Sequence, residues 1–229
     1  MTTDLVFDFF GTLVQYQSST FHTAPYTQTH AYLLQHNFAL SYSAFTTAFT
    51  AASEELEEQA HRTGQEYHMD DLARKFFQIA FSLEVAEETN HTFGMTFLQE
   101  WERGITYFDD IAPFLTQLST KYRLSLLSNT NYPPLIHRHL EEMGIRDRFA
   151  HVFTSIEIGT RKPHNSAFQH MLTTLESPAE RVVYIGDSYL ADYQGALNSG
   201  IRAILIDPEG KHLKVPTRTE SLFAIEQHL

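Results

Sequence analysis

The sequence has no cysteine among its 229 residues, which excludes disulfide bonds and thiolate metal sites. It is also poor in positive charge, because 16 lysines and arginines face 28 aspartates and glutamates. The resulting formal charge of −12 argues against nucleic-acid partners and anionic membrane surfaces. No apolar stretch approaches the roughly 20 residues of a membrane-spanning helix. We therefore expect a soluble, cytoplasmic protein that acts on a small molecule.

The first part of the chain has a helical pattern. Between residues 15 and 100, apolar side chains recur at helical spacing, as in Phe45, Ala48, Phe49, Ala52 and Leu56. No strand pattern interrupts this region. We expect several packed helices there, with the phenylalanines forming their shared core.

From about residue 105 onwards, short apolar segments alternate with helical patterns. The clearest segments are 124–127, 182–185 and 203–206, and residues 152–158 are also expected to be extended. Strands that alternate with helices indicate right-handed crossovers and a parallel sheet. The apolar segment 5–9 has the same character and most simply joins that sheet. The prediction is an α/β protein, with a Rossmann-like parallel sheet interrupted by an inserted helical segment.

Polar side chains stand where such a sheet would bind a ligand. Asp8, Ser128 and Asp187 each come at the carboxyl end of an apolar strand. The carboxyl ends of parallel strands line the binding crevice of open α/β sheets, and Lys162 could reach the same place. A carboxylate among phenylalanines, as at Asp8, is costly unless it is paired or bound to metal. These residues are therefore candidates for a common site.

Four segments carry a specific resemblance to a known family. In chain order, FDFFGTLV, LLSNT, RKP and YIGDSYLADYQGA resemble the four motifs of the haloacid dehalogenase-like hydrolase superfamily. Their spacing is similar to that of subfamily I, whose α-helical C1-type cap follows the first motif. The resemblance implies a Rossmann-like hydrolase core of residues 1–14 plus 101–229 and a helical cap of residues 15–100.

The resemblance also implies roles for single residues. Asp8 matches the nucleophile, which forms an aspartyl intermediate with the substrate. Gly11 and Thr12 match the turn after it, where the threonine hydroxyl helps to orient the nucleophile. Ser128 matches the hydroxyl that binds the transferred phosphoryl group, and Asn129 adjoins it as a further substrate-binding residue.

A cation and a metal complete the implied site. Lys162 matches the lysine that neutralises the charges of nucleophile and phosphate. The implied Mg²⁺ ligands are Asp8, Asp187, Asp192 and the backbone carbonyl of Phe10. Charge counting supports a metal independently, because three carboxylates would otherwise face one lysine and an anionic substrate. A hard divalent cation with oxygen ligands removes that conflict.

Phe10 departs from the pattern of the phosphatases in this family, which usually carry an aspartate there as general acid and base. A substrate with a good leaving group would not need that acid. Alternatively, another side chain could supply the proton, and His22 is a candidate near the substrate. A third explanation is dehalogenase chemistry, since that branch has an aromatic residue at the position of Phe10.

These explanations lead to three functional hypotheses. The first is Mg²⁺-dependent hydrolysis of a small phosphorylated metabolite. The second is hydrolysis of a carbon–halogen bond. Dehalogenases of this family have an arginine early in the cap that receives the halide, and they lack the Gly-Asp pair that anchors a metal. This chain has no arginine between Asp8 and Arg62 and does have Gly186-Asp187, so both features disfavour this reaction. The third is a catalytically degenerate family member that only binds a phosphorylated ligand. Surplus apolar residues in the helical region also leave a homodimer open.

Overall fold

The computed structural model describes residues 2–16 and 26–229. The chain forms two compact units, one of Met1–Tyr16 with Thr106–Leu229 and the other of Gln17–Ile105. These bounds differ by a few residues from the boundaries at 14/15 and 100/101 that the sequence suggests. The assignment of the second unit as a cap stays a prediction.

The first unit contains a six-stranded sheet in which every described strand pair is parallel. Its strands are Asp4–Phe7 (β1), Arg123–Ser128 (β4), Phe149–Thr154 (β5), Val182–Gly186 (β6), Arg202–Ile206 (β7) and Arg218–Thr219 (β8). Their order is β5-β4-β1-β6-β7-β8, which confirms that the first strand joins the later ones. The predicted Rossmann-like α/β fold is therefore correct.

A second, smaller sheet was not predicted. It pairs Val14–Tyr16 (β2) with Ile105–Tyr107 (β3), and the sequence pattern predicts no strand in either place. Three-residue strands are too short to show the alternation of apolar and polar residues that identifies a strand. The Gln15 side chain accepts a hydrogen bond from Thr106 Oγ1 at 3.1 Å, which adds a link between the two strands.

The second unit is helical, as predicted. Its helices are Thr27–Gln35 (α1), Tyr42–Thr63 (α2), Met69–Phe81 (α3) and Glu87–Trp101 (α4). The Ser41 hydroxyl accepts a hydrogen bond from Ala44 N and begins α2, and Gly64 ends it in the left-handed conformation. Phenylalanines fill the space between the helices, with Phe76 stacked on Phe93 at a centroid distance of 4.7 Å.

The remaining helices belong to the first unit. They are Ile111–Ser119 (α5), Pro133–Glu142 (α6), Ser155–Ile158 (α7), Asn165–Leu175 (α8) and Gly195–Asn198 (α9), with a π-helix at Tyr189–Gln194. The expectation of an extended segment at 152–158 is wrong in its second half. The strand ends at Thr154, because the Thr154 hydroxyl accepts a hydrogen bond from Glu157 N and so begins a helical turn. Within the described residues, no helix is long and apolar enough to span a membrane.

The aromatic core of the helical unit generates a stability prediction. Phe76 on α3 has no exposed surface, whereas Ile79 on the same helix is 40% exposed. We expect Phe76→Ala to lower the free energy of unfolding by about 3–5 kcal/mol, because it leaves a cavity among the other rings. Ile79→Ala, the matched control, should lower it by only roughly 1 kcal/mol. Urea unfolding followed by fluorescence of Trp101, the one tryptophan of the chain, measures both values in this unit. Equal losses would contradict the role of the aromatic core.

Candidate active site

Three polar residues meet at the carboxyl edge of the sheet. Strand β1 lies between β4 and β6, so Asp8, Ser128 and Asp187 follow or end neighbouring strands. The backbone N–H of Asp8 still donates to Ile185 O at 2.8 Å, which fixes Asp8 in line with the end of β6. The Asp8 residue is only 8% exposed and Ser128 only 1% exposed. The parallel register thus places all three residues at the same edge of the sheet.

Lys162 lies in the middle of the site and is 2% exposed. Its ammonium group donates to Asp8 Oδ1 at 2.8 Å and to Asp192 Oδ1 at 2.6 Å. Burial lowers the pKa of Lys162, but the charges and hydrogen bonds of Asp192 and Asp8 outweigh it and raise the pKa above its ordinary value. Lys162 therefore links two carboxylates through its ammonium group.

Asp192 reaches the site from the π-helix, the kind of irregular turn that is frequent at functional sites. Its second oxygen accepts a hydrogen bond from Ser188 N at 2.9 Å, so both carboxylate oxygens are held. A side chain at Gly186 would overlap the Asp192 carboxyl group, which explains why glycine ends β6. The close approach of Asp192 to the strand end depends on this glycine.

The three aspartates form a cluster suited to a divalent cation. Asp8, Asp187 and Asp192 each offer a carboxylate oxygen, and these three atoms lie within 4.8 Å of one another. Desolvation and the charges of Asp8 and Asp192 raise the pKa of Asp187 to about 7, although its side chain is exposed at the mouth of the site. Three carboxylates and one ammonium leave excess negative charge. Oxygen ligands with uncompensated charge fit Mg²⁺, which usually binds one or two carboxylates and retains several waters.

Burial also raises the pKa of Asp192, to about 6, while the charge of Lys162 opposes the shift and that of Asp8 adds to it. The repulsion among the aspartates is therefore only partly relieved by Lys162. The cluster therefore has excess negative charge, which a bound cation would neutralise.

The turn that follows Asp8 packs against Asp187. Gly11 adopts φ +76°, and a Cβ atom there would overlap the Asp187 carboxylate. Thr12 is buried, and its hydroxyl donates a long hydrogen bond of 3.5 Å to Asp187 Oδ1. The described contact of Thr12 is thus with the third aspartate, whereas the sequence predicts that it orients Asp8.

Ser128 and Asn129 have different surroundings. Ser128 Oγ is buried and has no hydrogen-bond partner among the described residues, so it can donate to a ligand. The Asn129 side chain instead binds the backbone of Lys162, accepting from its N–H and donating to its carbonyl, both at 2.9 Å. A direct contact between Asn129 and substrate stays a prediction.

The two remaining predicted residues are Phe10 and His22. Phe10 is half-buried, and its ring packs edge-on against Phe9 at 5.0 Å and Tyr16 at 6.0 Å. Its side chain offers no proton, and the role of its carbonyl as a metal ligand stays a prediction. His22 lies outside the residues that the structure describes, and its proposed contact with substrate is likewise untested.

A cavity of about 400 Å³ opens beside Asp187 and the turn that follows Asp8. Gly11, Thr12 and Asp187 form one side of it, and Phe108 and His212 contribute to the rest of its lining. Its volume is within the range of small-molecule sites. The first unit therefore offers space for a small ligand next to Asp187, one of the three clustered aspartates.

Tyr184 is a member of the site that the sequence analysis missed. It lies on β6, is fully buried, and its hydroxyl is 2.7 Å from the Lys162 ammonium. The available signal was a tyrosine in an otherwise apolar strand, because a buried tyrosine hydroxyl usually has a hydrogen-bond partner. That signal does not identify the partner, which comes from a distant part of the chain.

Comparison with protein families and curated relatives gives a consistent result. The family model described as haloacid dehalogenase-like hydrolase matches residues 5–200. Over 107 residues the chain is 34% identical to glyceraldehyde 3-phosphate phosphatase of Methanothermobacter thermautotrophicus, covering 44% of this chain and 45% of that protein. It is 25% identical to 5-amino-6-(5-phospho-D-ribitylamino)uracil phosphatase YigB of Escherichia coli, covering 71% and 65%. The chain thus spans less than two thirds of the length of these relatives.

Solved structures share the fold over nearly the full chain. A 2-haloacid dehalogenase from Pseudomonas syringae has a TM-score of 0.72 at 18% identity, covering 99% of this chain and 97% of that one. The magnesium-bound putative hydrolase YfnB from Bacillus subtilis has a TM-score of 0.68 at 19% identity, covering 100% and 98%. Identities this low establish the fold alone.

The close approach of Gly11 to Asp187 generates a prediction with a matched control. Gly11 and Gly144 both have positive φ angles, but only Gly11 has a neighbour within reach of a Cβ atom. Both alanine variants should lose about 1–2 kcal/mol of unfolding free energy because of the left-handed backbone. Gly11→Ala should lose a further 1–3 kcal/mol, about the range for overpacking. Denaturant unfolding of the two variants measures this difference, and identical losses would show that Asp187 does not constrain the turn.

Proposed function

The chain belongs to the haloacid dehalogenase-like hydrolase family, and from that premise we propose that it is a Mg²⁺-dependent phosphohydrolase of small phosphorylated metabolites. The family membership makes it a hydrolase. The proposal adds the transferred group, the metal and the covalent intermediate on Asp8.

One arrangement carries the proposal. Lys162 is bound to Asp8 and Asp192, Asp187 lies beside them, and the buried Ser128 hydroxyl has no partner among the described residues. A phosphoryl group carries negative charge on several oxygens, so its transfer requires positive charge and hydrogen-bond donors around it. An aspartate cluster that can hold Mg²⁺, together with an uncommitted donor, supports this chemistry.

The reaction would use Asp8 as nucleophile. An Asp8 carboxylate oxygen attacks phosphorus while the bond between phosphorus and the leaving oxygen breaks, and the leaving group departs with the electron pair. Water then attacks phosphorus of the aspartyl phosphate, which releases inorganic phosphate and a proton and restores the Asp8 carboxylate. Lys162 holds Asp8 in place throughout, and Ser128 donates to an oxygen of the transferred group.

Asp8, Asp187 and Asp192 are the residues that would hold Mg²⁺, with the carbonyl of Phe10 as the further ligand that the family resemblance implies. When bound, the cation would neutralise charge on the aspartates and on the transferred phosphoryl group. Of these aspartates, Asp192 has both oxygens engaged in hydrogen bonds, so Asp8 and Asp187 are the better direct ligands.

Phe10 narrows the substrate class. A leaving group of low basicity, as in acyl or aryl phosphates, departs without receiving a proton, whereas an alkoxide does not. General acid and base catalysis is worth about 10²–10⁴ in rate, and Phe10 supplies none of it. We therefore favour activated phosphates over alkyl esters, unless another side chain provides the proton.

The relatives favour phosphate over halide chemistry. Glyceraldehyde 3-phosphate phosphatase and YigB are both named as phosphatases of small phosphorylated compounds. A third relative, named ribulose-1,5-bisphosphate 5-phosphatase of Halopiger xanaduensis, is 39% identical over 69 residues, which cover 30% of this chain and 29% of that protein. Phosphatase activity is thus better supported than dehalogenation for this chain.

A direct test measures phosphate release from acetyl phosphate and p-nitrophenyl phosphate, with Mg²⁺ and with a chelator. We expect turnover only with Mg²⁺, because the aspartate cluster repels an anionic substrate without it. Asp8→Asn should abolish turnover, since the amide cannot form the aspartyl intermediate. Failure of the wild-type protein with both compounds would overturn the proposal, and chloride release from 2-haloacids would then identify a dehalogenase.

A second prediction concerns the missing acid. Phe10→Asp should accelerate hydrolysis of an alkyl phosphate such as glycerol 3-phosphate by about 10²–10⁴, because the carboxyl group can protonate the leaving oxygen. The rate with acetyl phosphate should change far less, because its leaving group needs no proton. The ratio of the two kcat/KM values in wild type and variant measures the effect.

Phe10→Asn serves as the matched control for this second test. It removes the same aromatic ring, and the asparagine side chain has nearly the shape of aspartate, but it carries no acid. An equal gain in Phe10→Asn would assign the effect to space or flexibility, and an unchanged substrate ratio in Phe10→Asp would refute the leaving-group explanation.

A further inference from the structure

The cavity of about 400 Å³ in the first unit has an aromatic wall that the proposed reaction does not yet use. The rings of Tyr16, Phe108 and His212 contribute to its lining. The buried apolar side chains of Ile206 and Leu222 line it as well. An apolar cavity of roughly 150 Å³ already holds benzene, so this larger one can take a phenyl ring with substituents. The cavity therefore has the size and lining of a site for an aromatic group.

The His212 ring is fixed on this wall. It stacks on the Tyr189 ring at a centroid distance of 4.4 Å and an interplanar angle of 11°. The backbone N–H of His212 donates to Asp207 Oδ2 at 2.8 Å, so the main chain is held as well as the ring. Tyr189 is not among the described residues that line the cavity, so the imidazole presents its other face or an edge to it. A planar group in the cavity can thus pack against a preformed stack.

The other two rings of the wall are supported in a comparable way. The Phe108 ring makes an edge-on contact with Phe223 at 5.6 Å. The Tyr16 ring contacts Phe10 at 6.0 Å. Neither supporting ring belongs to the described lining of the cavity. Phe10 therefore does more than leave its position without an acid, because it supports a ring of the cavity wall.

The charged side chains of the wall are engaged with one another. The Asp207 carboxylate accepts from Arg218 Nε at 2.8 Å and from the backbone N–H of Lys211 at 2.9 Å. The Lys211 ammonium pairs with Glu209 at 2.8 Å, and Arg218 also pairs with Glu220 at 3.2 Å. A group that brings no charge of its own leaves these pairs undisturbed. This part of the cavity therefore favours a neutral ring.

The cavity adjoins the proposed reaction centre. Asp187 belongs both to its lining and to the aspartate cluster with Asp8 and Asp192. A phosphoryl group at Asp8 would therefore have the cavity nearby for the group attached to phosphorus. An aryl oxygen is a leaving group of low basicity, because the phenolate departs with the electron pair of its bond to phosphorus and needs no proton. This is the kind of leaving group that Phe10 favours.

We propose that the cavity binds the aromatic leaving group of the substrate, which makes aryl phosphates the substrate class of this protein. Within the activated phosphates of the proposed function, the aromatic wall selects aryl over acyl compounds. The inference rests on the proposed function for the hydrolysis, whereas the preference of the cavity for an aromatic ring is independent of it.

The first test measures binding without turnover. Phenylphosphonate and methylphosphonate carry the same phosphono group, and neither has an oxygen leaving group that Asp8 could displace. Calorimetric titration of the full chain in the presence of Mg²⁺ gives the ratio of their dissociation constants. We expect phenylphosphonate to bind about 10-fold more tightly or better, because its ring moves from water into an apolar site. Equal affinities, or no binding of either compound, would overturn the proposal.

Variants assign this preference to the cavity. His212→Ala and Phe108→Ala should each reduce the ratio by about 3- to 10-fold, the range for loss of one aromatic contact. His212→Phe keeps a ring on the wall and should retain the preference. His151→Ala is the matched control, because His151 is also half-buried and stacked on an aromatic ring, Phe153, but is not among the described lining residues. An unchanged ratio in either alanine variant of the wall, or an equal loss in His212→Phe or His151→Ala, would refute the assignment.

The second test separates this inference from the proposed function. With Mg²⁺, the kcat/KM of phenyl phosphate relative to that of acetyl phosphate should fall by about 3- to 10-fold in His212→Ala. If acetyl phosphate is hydrolysed but phenylphosphonate binds no better than methylphosphonate, the inference fails and the proposed function stands. If no phosphate is hydrolysed, the proposed function fails, and the phosphonate titrations still decide whether the cavity binds an aromatic ring.

Discussion

The rest of the site depends on the ion pairs and the hydrogen bond that the buried Lys162 ammonium makes. An isolated charge in a protein interior is strongly unfavourable unless it is paired and hydrogen-bonded. Lys162 meets this condition through Asp8, Asp192 and Tyr184, which come from three different elements. Removing any one partner would leave a buried donor unsatisfied. These two ion pairs and one hydrogen bond therefore hold the end of β1, the π-helix and β6 in one arrangement.

The sheet makes this arrangement possible. Because β1 runs between β4 and β6 in parallel, three strand ends reach the same edge within the width of neighbouring strands. Asp8 continues β1, Ser128 ends β4 and Asp187 follows β6. Gly186 then admits Asp192 against the strand end. The parallel strands thus bring these side chains to one place. Gly11 and Gly186 leave room for the carboxylates of Asp187 and Asp192 to approach the strand ends.

Much of this could be predicted from sequence, because the informative features are local. A carboxylate after an apolar run marks Asp8 and Asp187 in the chain itself, and parallel topology follows from alternation of strands and helices. The features that were missed depend on short or long-range geometry. Strands β2 and β3 are too short for a periodic pattern, and the π-helix has none of its own. Tyr184 meets Lys162, 22 residues earlier, only in the folded sheet.

Phe10 and Tyr184 bear on the same question, namely where the site obtains its charge and its protons. Phe10 carries no acid, and the hydroxyl of Tyr184 accepts one hydrogen bond from the Lys162 ammonium. Under the proposed function, a chain with Phe10 would depend more heavily on a cation at the aspartate cluster and on a leaving group of low basicity. Desolvation and the nearby charges of Asp8 and Asp192 raise the pKa of Asp187 to about 7, as expected for a cluster with excess negative charge. If Asp8 is the nucleophile as proposed, a good leaving group is the natural counterpart of a position 10 that carries no acid.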